Sequence, residues 1–229
     1  MSAEQPPTRS TPAARPSPQP PALTEVRIHG RGGQGVVTAA EVLSVAAFRQ
    51  GLHAQAFPSF GSERTGAPVV SFCRISGRPI RARDPIAEPD VVVIQDVTLL
   101  GQVAVFAGLK PSGWLLLNSP LAPDELDLDR TTRTLGLAPD HIATVPATAI
   151  AIRHVGRAVS NVPLLGAFAA LTGVVGLDAV VGAIEERFSG PTAVRNVAAA
   201  REAYETVRVG TPATQTAEVH SALAEVHHA

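Results

Sequence analysis

The sequence predicts an α/β fold, a mostly parallel sheet flanked by helices with a helical C-terminal part, and three observations predict it. A short alternating strand, Thr24-Glu-Val-Arg-Ile-His29, runs through a glycine turn straight into a helix-forming segment. Two unbroken apolar runs, Val91-Val-Val-Ile94 and Trp114-Leu-Leu-Leu117, have the character of parallel strands covered on both faces. From Ala147 onward the periodicity is helical. Alternating β and α signals of this kind describe a Rossmann-like sheet.

The elements follow in order. Val36 to Gln50 places Val36, Ala39, Ala40, Leu43, Ala46 and Ala47 on one helical face, and Gly51 stops the helix. An extended piece, Leu52 to Phe57, leads into a polar glycine loop from Pro58 to Pro68. The β-rich run Val69-Val-Ser-Phe-Cys-Arg-Ile75 comes next, with a hairpin-like turn expected at Ser76-Gly77. Between the two apolar runs, Val97 to Leu109 reads as a crossover helix, and His141 to Val145 as a further short strand. Helices are expected over Ala149 to Val159, Leu164 to Val175, Leu177 to Phe188 and Thr192 to Val209, with Pro163 and Pro191 in first turns, where a missing donor costs least.

The domain is expected to occupy residues 23–209. Residues 1–22 read as a disordered, partly polyproline II tail, because seven of the 20 prolines fall there among Ser, Thr, Gln and Ala. Residues 210–229 lack strong periodicity and read as a weakly ordered tail. The chain has 229 residues, 45% hydrophobic and 17% charged, enough for one substantial core. Its net charge of −1 gives no general cation field for nucleic acid or anionic lipid. No apolar run reaches the roughly 20 residues of a membrane span. Cys73 is the only cysteine, so neither an intrachain disulfide nor an all-cysteine iron–sulfur or zinc site can form within the chain. A soluble protein of a reducing cytoplasm is expected.

Gly30-Arg31-Gly32-Gly33-Gln34-Gly35 has G-x-G-x-x-G spacing between a strand and a helix, where small residues let backbone amides approach a phosphate. The bland alternative is a turn needed only for strand–helix packing. A dinucleotide site would also want an acidic ribose ligand about 20 residues on. The corresponding stretch, Ala54-Gln-Ala-Phe57, has none, so an anionic ligand other than NAD fits better.

Downstream of the turn stand Gln55-Ala-Phe-Pro-Ser-Phe-Gly-Ser-Glu-Arg-Thr-Gly-Ala-Pro-Val69 and Phe72-Cys-Arg-Ile-Ser76. With the glycine turn, these resemble the gamma subunit of pyruvate and related 2-oxoacid:ferredoxin oxidoreductases, whose pattern is G-R-G-G-Q-G, then S-x-G-x-E-R-x-G-x-P before a strand ending in R-I. The likeness continues at Asn161-Val-Pro-Leu-Leu-Gly-Ala167, Ala183-Ile-Glu-Glu-Arg-Phe188 and Asn196, and so spans about Val26 to Val207. The indolepyruvate-type small subunit shares the turn but carries an A-Q-R-G-G type of second loop. Thr65 departs from the family, which commonly has arginine or a similar residue there.

The resemblance implies an enzyme complex that converts a 2-oxoacid and coenzyme A to acyl-CoA and CO2 while reducing ferredoxin. It implies thiamine diphosphate held by partner alpha and beta chains, iron–sulfur clusters in beta or delta chains, and a gamma chain on the coenzyme A side that is inactive alone. On that footing Gly30 and the amides of Gly32, Gly33, Gln34 and Gly35, with Arg31, are expected to hold a coenzyme A phosphate. The second loop is expected to close over the pantetheine or nucleotide part, with hydroxyls from Ser59, Ser62 and Thr65, a forked donor to phosphate from Arg64 and an apolar face from Phe60, while Glu63 is expected instead to pair with Arg64 and order the loop. Arg64 and Glu63 also suit an exposed ion pair or contact with a partner chain.

Other residues have simpler readings. Cys73 is expected in the core, Asn161 as the cap of the helix near Pro163, and Asp124 to Asp129 as a solvated loop or helix start. No histidine sits in a metal-binding pattern, and catalytic residues are not expected in this chain. Two other functions stay open: a stand-alone NAD(P)-binding oxidoreductase, and a purely structural assembly subunit.

Overall fold

A computed structural model describes residues 22–59, 65–126 and 128–210. Apart from Ala22 and Gly210, both expected tails lie outside the described residues, as do Phe60, Gly61, Ser62, Glu63 and Arg64 of the second loop. The chain runs β1 (Thr24–Arg31), α1 (Val36–Arg49), β2 (His53–Pro58), β3 (Pro68–Ser76), β4 (Val91–Ile94), β5 (Trp114–Asn118), α2 (Asp129–Leu135), β6 (Ile142–Val145), α3 (Ala147–Val155), α4 (Asn161–Thr172), α5 (Leu177–Arg187), α6 (Gly190–Thr206) and β7 (Arg208–Val209).

These seven strands form one sheet in the order β2-β3-β1-β4-β5-β6-β7. Its core, β1-β4-β5-β6, is parallel. Antiparallel strands flank it: β3 pairs with β1 and β2, and β7 with β6. The alternation of side chains along the parallel strands decides the two faces. Val91, Val93 and Leu116 face the layer that holds α1 and α3 to α6. Val92, Ile94, Leu115 and Leu117 face the other side, where Leu99, Val105, Leu109, Leu128 and Leu137 cover them. Burial on both faces is why these strands are apolar without interruption.

Two expectations about connections are corrected. Val97 to Leu109 is not a crossover helix: a single 3₁₀ turn, Val97–Gly101, is followed by turns. Gly101 and Gly108 weaken any helix there. The hairpin does not follow Ser76 but precedes it, formed by β2 and β3 around the second loop. Ser76 instead ends the strand, its hydroxyl donating to the Ala22 carbonyl at 2.7 Å and accepting from the Arg78 amide.

Arg74, in the Arg-Ile that closes β3, is buried and locks the hairpin to β1. Its Nε donates to Glu25 at 2.9 Å, a guanidinium N–H donates to the Asp84 carbonyl, and the group lies 5.3 Å from the Phe57 ring centre. On the helical layer, α4 is apolar almost all round and buried from Asn161 to Ala169, so it forms the middle of the core. Gly166 lets α6 approach it closely, for a Cβ at 166 would overlap the Ala200 carbonyl. Pro163 and Pro191 do fall in first turns, and Cys73 is buried in the core. Among the described residues no helix is long and apolar enough to cross a membrane, and no cluster of His, Cys, Asp and Glu could hold a metal ion.

Candidate ligand-binding site at the glycine turn

The glycine turn lies where the carboxyl end of β1 meets the amino end of α1. Gly35 is the N-cap of α1 at φ 74°, a left-handed conformation that favours glycine. A side chain at 35 would also overlap the Asn161 amide. Asn161 is thus not the cap it was expected to be. It is the first residue of α4, its Nδ2 donating to the Gly35 carbonyl at 3.3 Å and its Oδ1 accepting from the Val162 amide at 2.9 Å. Its side chain joins α4 to the turn.

With a glycine at the N-cap, no side chain caps α1, and no acidic residue lies in its first turn. The N–H groups of the first turn have no helical acceptor, and among the described residues neither a cap nor a first-turn carboxylate offsets the positive end of the helix dipole. A cavity of about 290 Å³ opens there, lined by Arg31, Gly32, Gly33, Gly35, Val36, Val37, Thr38 and Val69. Among the described residues the Gly33 and Gly35 amides donate to no protein group. The other two are occupied: Gly32 donates to the Ala67 carbonyl at 2.9 Å and Gln34 to the Arg31 carbonyl at 3.0 Å.

The second loop docks on the turn at its far end. Thr65 bridges to Gly32, and the Gly66 amide donates to the Gly32 carbonyl at 3.1 Å. Ser59, at the near end, is exposed and continues the hairpin through its amide to the Val70 carbonyl. Phe60, Ser62, Glu63 and Arg64 lie outside the described residues. Gly30 carries no open donor into the cavity; its small size is what matters, since a Cβ there would sit 2.6 Å from Val36.

The Arg31 and Gln34 side chains spend their polar atoms on neighbouring protein groups. Arg31 pairs with Asp96 at 3.0 Å and donates to Gly66, Thr98 and Gln102, while Gln34 donates to the same Asp96 oxygen and accepts from the Arg31 amide. Burial works against ionisation of Asp96, but hydrogen bonds from Thr98 and Gln34 and the Arg31 charge outweigh it and hold the carboxyl below its ordinary value. This knot ties β1 to the segment after β4.

Sequence reasoning missed the residues just beyond the parallel strands. Gln95 and Asp96 follow β4, Asn118 ends β5, and Thr148 stands in the first turn of α3 after β6. They border a second cavity of about 490 Å³ in the crevice at the carboxyl ends of the strands. The signal was present: polar residues directly after unbroken apolar runs are where open α/β sheets bind ligands.

A doubly wound type of α/β sheet with a hollow at the start of its first helix defines the class. Residues 25–206 match the family described as pyruvate ferredoxin/flavodoxin oxidoreductase, and the chain belongs to that family. It is 46% identical over 187 residues to the pyruvate/ketoisovalerate oxidoreductases common subunit gamma of Pyrococcus furiosus, covering 82% of this chain and 98% of that one. The crystal structure of pyruvate oxidoreductase subunit PORC from Thermotoga maritima superposes with a TM-score of 0.71 at 36% identity, over 83% of this chain and 99% of that one. A 2-oxoglutarate:ferredoxin oxidoreductase from Magnetococcus marinus, solved with 2-oxoglutarate, coenzyme A and succinyl-CoA bound, shares the fold. Its TM-score is 0.60 at 18% identity, over 83% of this chain and 33% of that one.

Proposed function

We propose that this chain is the gamma subunit of a cytoplasmic 2-oxoacid:ferredoxin oxidoreductase, that it helps to hold coenzyme A, and that it has no activity alone. Thiamine diphosphate belongs, in this reading, to alpha and beta partner chains and the iron–sulfur clusters to beta or delta chains, which would supply decarboxylation and electron transfer. The single cysteine of this chain agrees, since it cannot ligate a cluster by itself. Cys73 is buried, and burial raises its thiol to about 12, so it is no nucleophile either.

The observation that carries the reading is the cavity at the start of α1, with unsatisfied amides, a helix dipole that no described cap or first-turn carboxylate offsets, and the second loop docked beside it. The amides of Gly33 and Gly35 suit a phosphate, and in this reading Arg64, which precedes Thr65 in the sequence, supplies a cation to it. Relatives named as oxidoreductase gamma subunits support the assignment to a complex. The stand-alone NAD(P) enzyme is weakened further by topology: β3 separates β2 from β1, so the end of β2 is a strand away from the turn.

A purely structural assembly role is the competing reading, and the commitment of Arg31 to Asp96 favours it. Reconstitution with alpha and beta chains separates the two. Thr38→Glu puts a negative charge in the cavity while suiting the helix start, and it should raise the coenzyme A concentration at half-maximal rate by about tenfold or more. The half-saturating 2-oxoacid concentration should stay as it was. Arg64→Ala should act in the same direction. If both variants left the coenzyme A requirement unchanged, the assembly role would stand instead.

A further inference from the structure

Strand β2 is the outer strand of the sheet, with β3 on one side and no described strand on the other. Its ladder fixes which backbone groups stay open. His53 to Pro58 oppose Ser76 to Ser71 in antiparallel register, and on the same register the Ser59 amide donates to the Val70 carbonyl at 2.9 Å. Bonded pairs alternate along such a ladder, so His53, Gln55, Phe57 and Ser59 turn their N–H and C=O groups to β3, while those of Ala54 and Ala56 point outward. Pro58 points outward as well, but with a carbonyl only. Edge strands are commonly guarded by a charge or a bulge. This one, His-Ala-Gln-Ala-Phe-Pro, has no Asp, Glu, Lys or Arg, and its register with β3 is unbroken.

Helix α1 packs on β2 and β3 and so follows the same margin of the molecule. Arg49 lies against Gly182 of α5. Phe48, about 100° away round the helix, is turned off that flank and is 75% exposed. Glu41 and Ser44 share its stripe, and beneath the helix Ala54 and Ala56 pack on the core. An unguarded edge and an exposed aromatic ring thus lie side by side.

The open groups are symmetric about Gln55. A second β2 laid antiparallel, Gln55 against Gln55, puts Ala54 opposite Ala56, and every open N–H and C=O of those two residues finds a partner. The pairing ends before Pro58, where a longer strand of another kind would meet no donor. Self-pairing also brings no like charges face to face on β2. With paired strands about 4.8 Å apart, the two α1 helices, each seated over β2 and β3, would come to roughly the 10 Å of packed helices.

We propose that the edge of β2 pairs with the same edge of a second copy of this chain, joining two sheets about a twofold axis at Gln55, with Phe48 of each copy in the seam between the α1 helices. The proposal goes beyond the gamma-subunit reading and does not rest on it.

Sedimentation equilibrium of the full chain over a concentration series should show the mass rising from one chain to two. Ala56→Pro removes an outward N–H from each copy while leaving the ladder to β3 intact. It should raise the dimer dissociation constant by about tenfold or more. Phe48→Gln, at an exposed position, should raise it too, and decides the matter if Ala56→Pro does not fold. Hydrogen exchange should slow at the Ala54 and Ala56 amides only in the dimer. A chain that is monomeric throughout the series overturns the proposal: protected amides in that monomer would give the edge to another segment of the same chain, and open ones would leave it to a different partner. A dimer that keeps its affinity in the folded Ala56→Pro chain overturns it as well, because the copies then meet elsewhere.

Discussion

At the scale of single residues, Arg31 and Gln34 show how members of a glycine motif can serve architecture. Both lie within the glycine turn, and both spend their polar atoms on Asp96 and its neighbours. Asp96→Ala would leave a partly buried guanidinium and an amide without their shared acceptor. The expected loss is about 2 kcal/mol of stability, read as a lower urea midpoint with unchanged slope. Replacing Arg31 by Met in the same chain should recover part of that loss, because the stranded charge is then gone. If the double variant were no more stable than Asp96→Ala alone, the knot would not be the unit described here.

Among elements, the packing of α4 against α6 governs how well the turn is held, since Asn161 at the start of α4 touches Gly35. The two helices come close at Gly166, where the Ala200 carbonyl takes the space of a side chain. Gly166→Ala gains helix propensity but must push the backbones apart, and overpacking of this kind costs about 1–3 kcal/mol. Thermal denaturation of the variant should show a lower midpoint. An unchanged or raised midpoint would mean that the helices can separate freely. The β2–β3 hairpin acts in a similar way on the other side, presenting the second loop to the turn through the pairing of Thr65 with Gly32.

Over the whole molecule, His29 links the sheet to solution pH. It is 5% exposed, accepts a hydrogen bond from Arg27 Nε at 3.0 Å, and is lowered from 6.5 to about 4 by burial first and by the Arg27 charge second. Between those values the unfolded chain binds a proton that the folded chain refuses, so stability falls as pH drops from 6.5 to 4. The contribution amounts to about 3 kcal/mol across that window. His29→Gln keeps an acceptor for Arg27 and cannot titrate, so its urea midpoint should change less with pH there than that of the natural protein. Parallel curves for the two proteins would rule His29 out as the source.

Much of the sheet could be read directly, because burial on both faces leaves a pattern in neighbouring residues: Val91 to Ile94 and Trp114 to Leu117 could be little else. The strand–turn–helix unit was legible for the same local reason, as were the prolines in first turns. The crossover between β4 and β5 was not, since its apolar residues are spaced as a helix would space them while the chain forms only a 3₁₀ turn and further turns, and the placement of β3 between β1 and β2 depends on pairing across distant positions. The amino-acid sequence alone determined the fold class and the glycine turn, through contacts between near neighbours and the backbone freedom of glycine. Tertiary structure alone decided that Arg31 faces Asp96, that Asn161 reaches Gly35, and that Gln95 is buried without a partner. Each of these depends on groups brought together from far apart in the chain, and no local pattern records such a meeting.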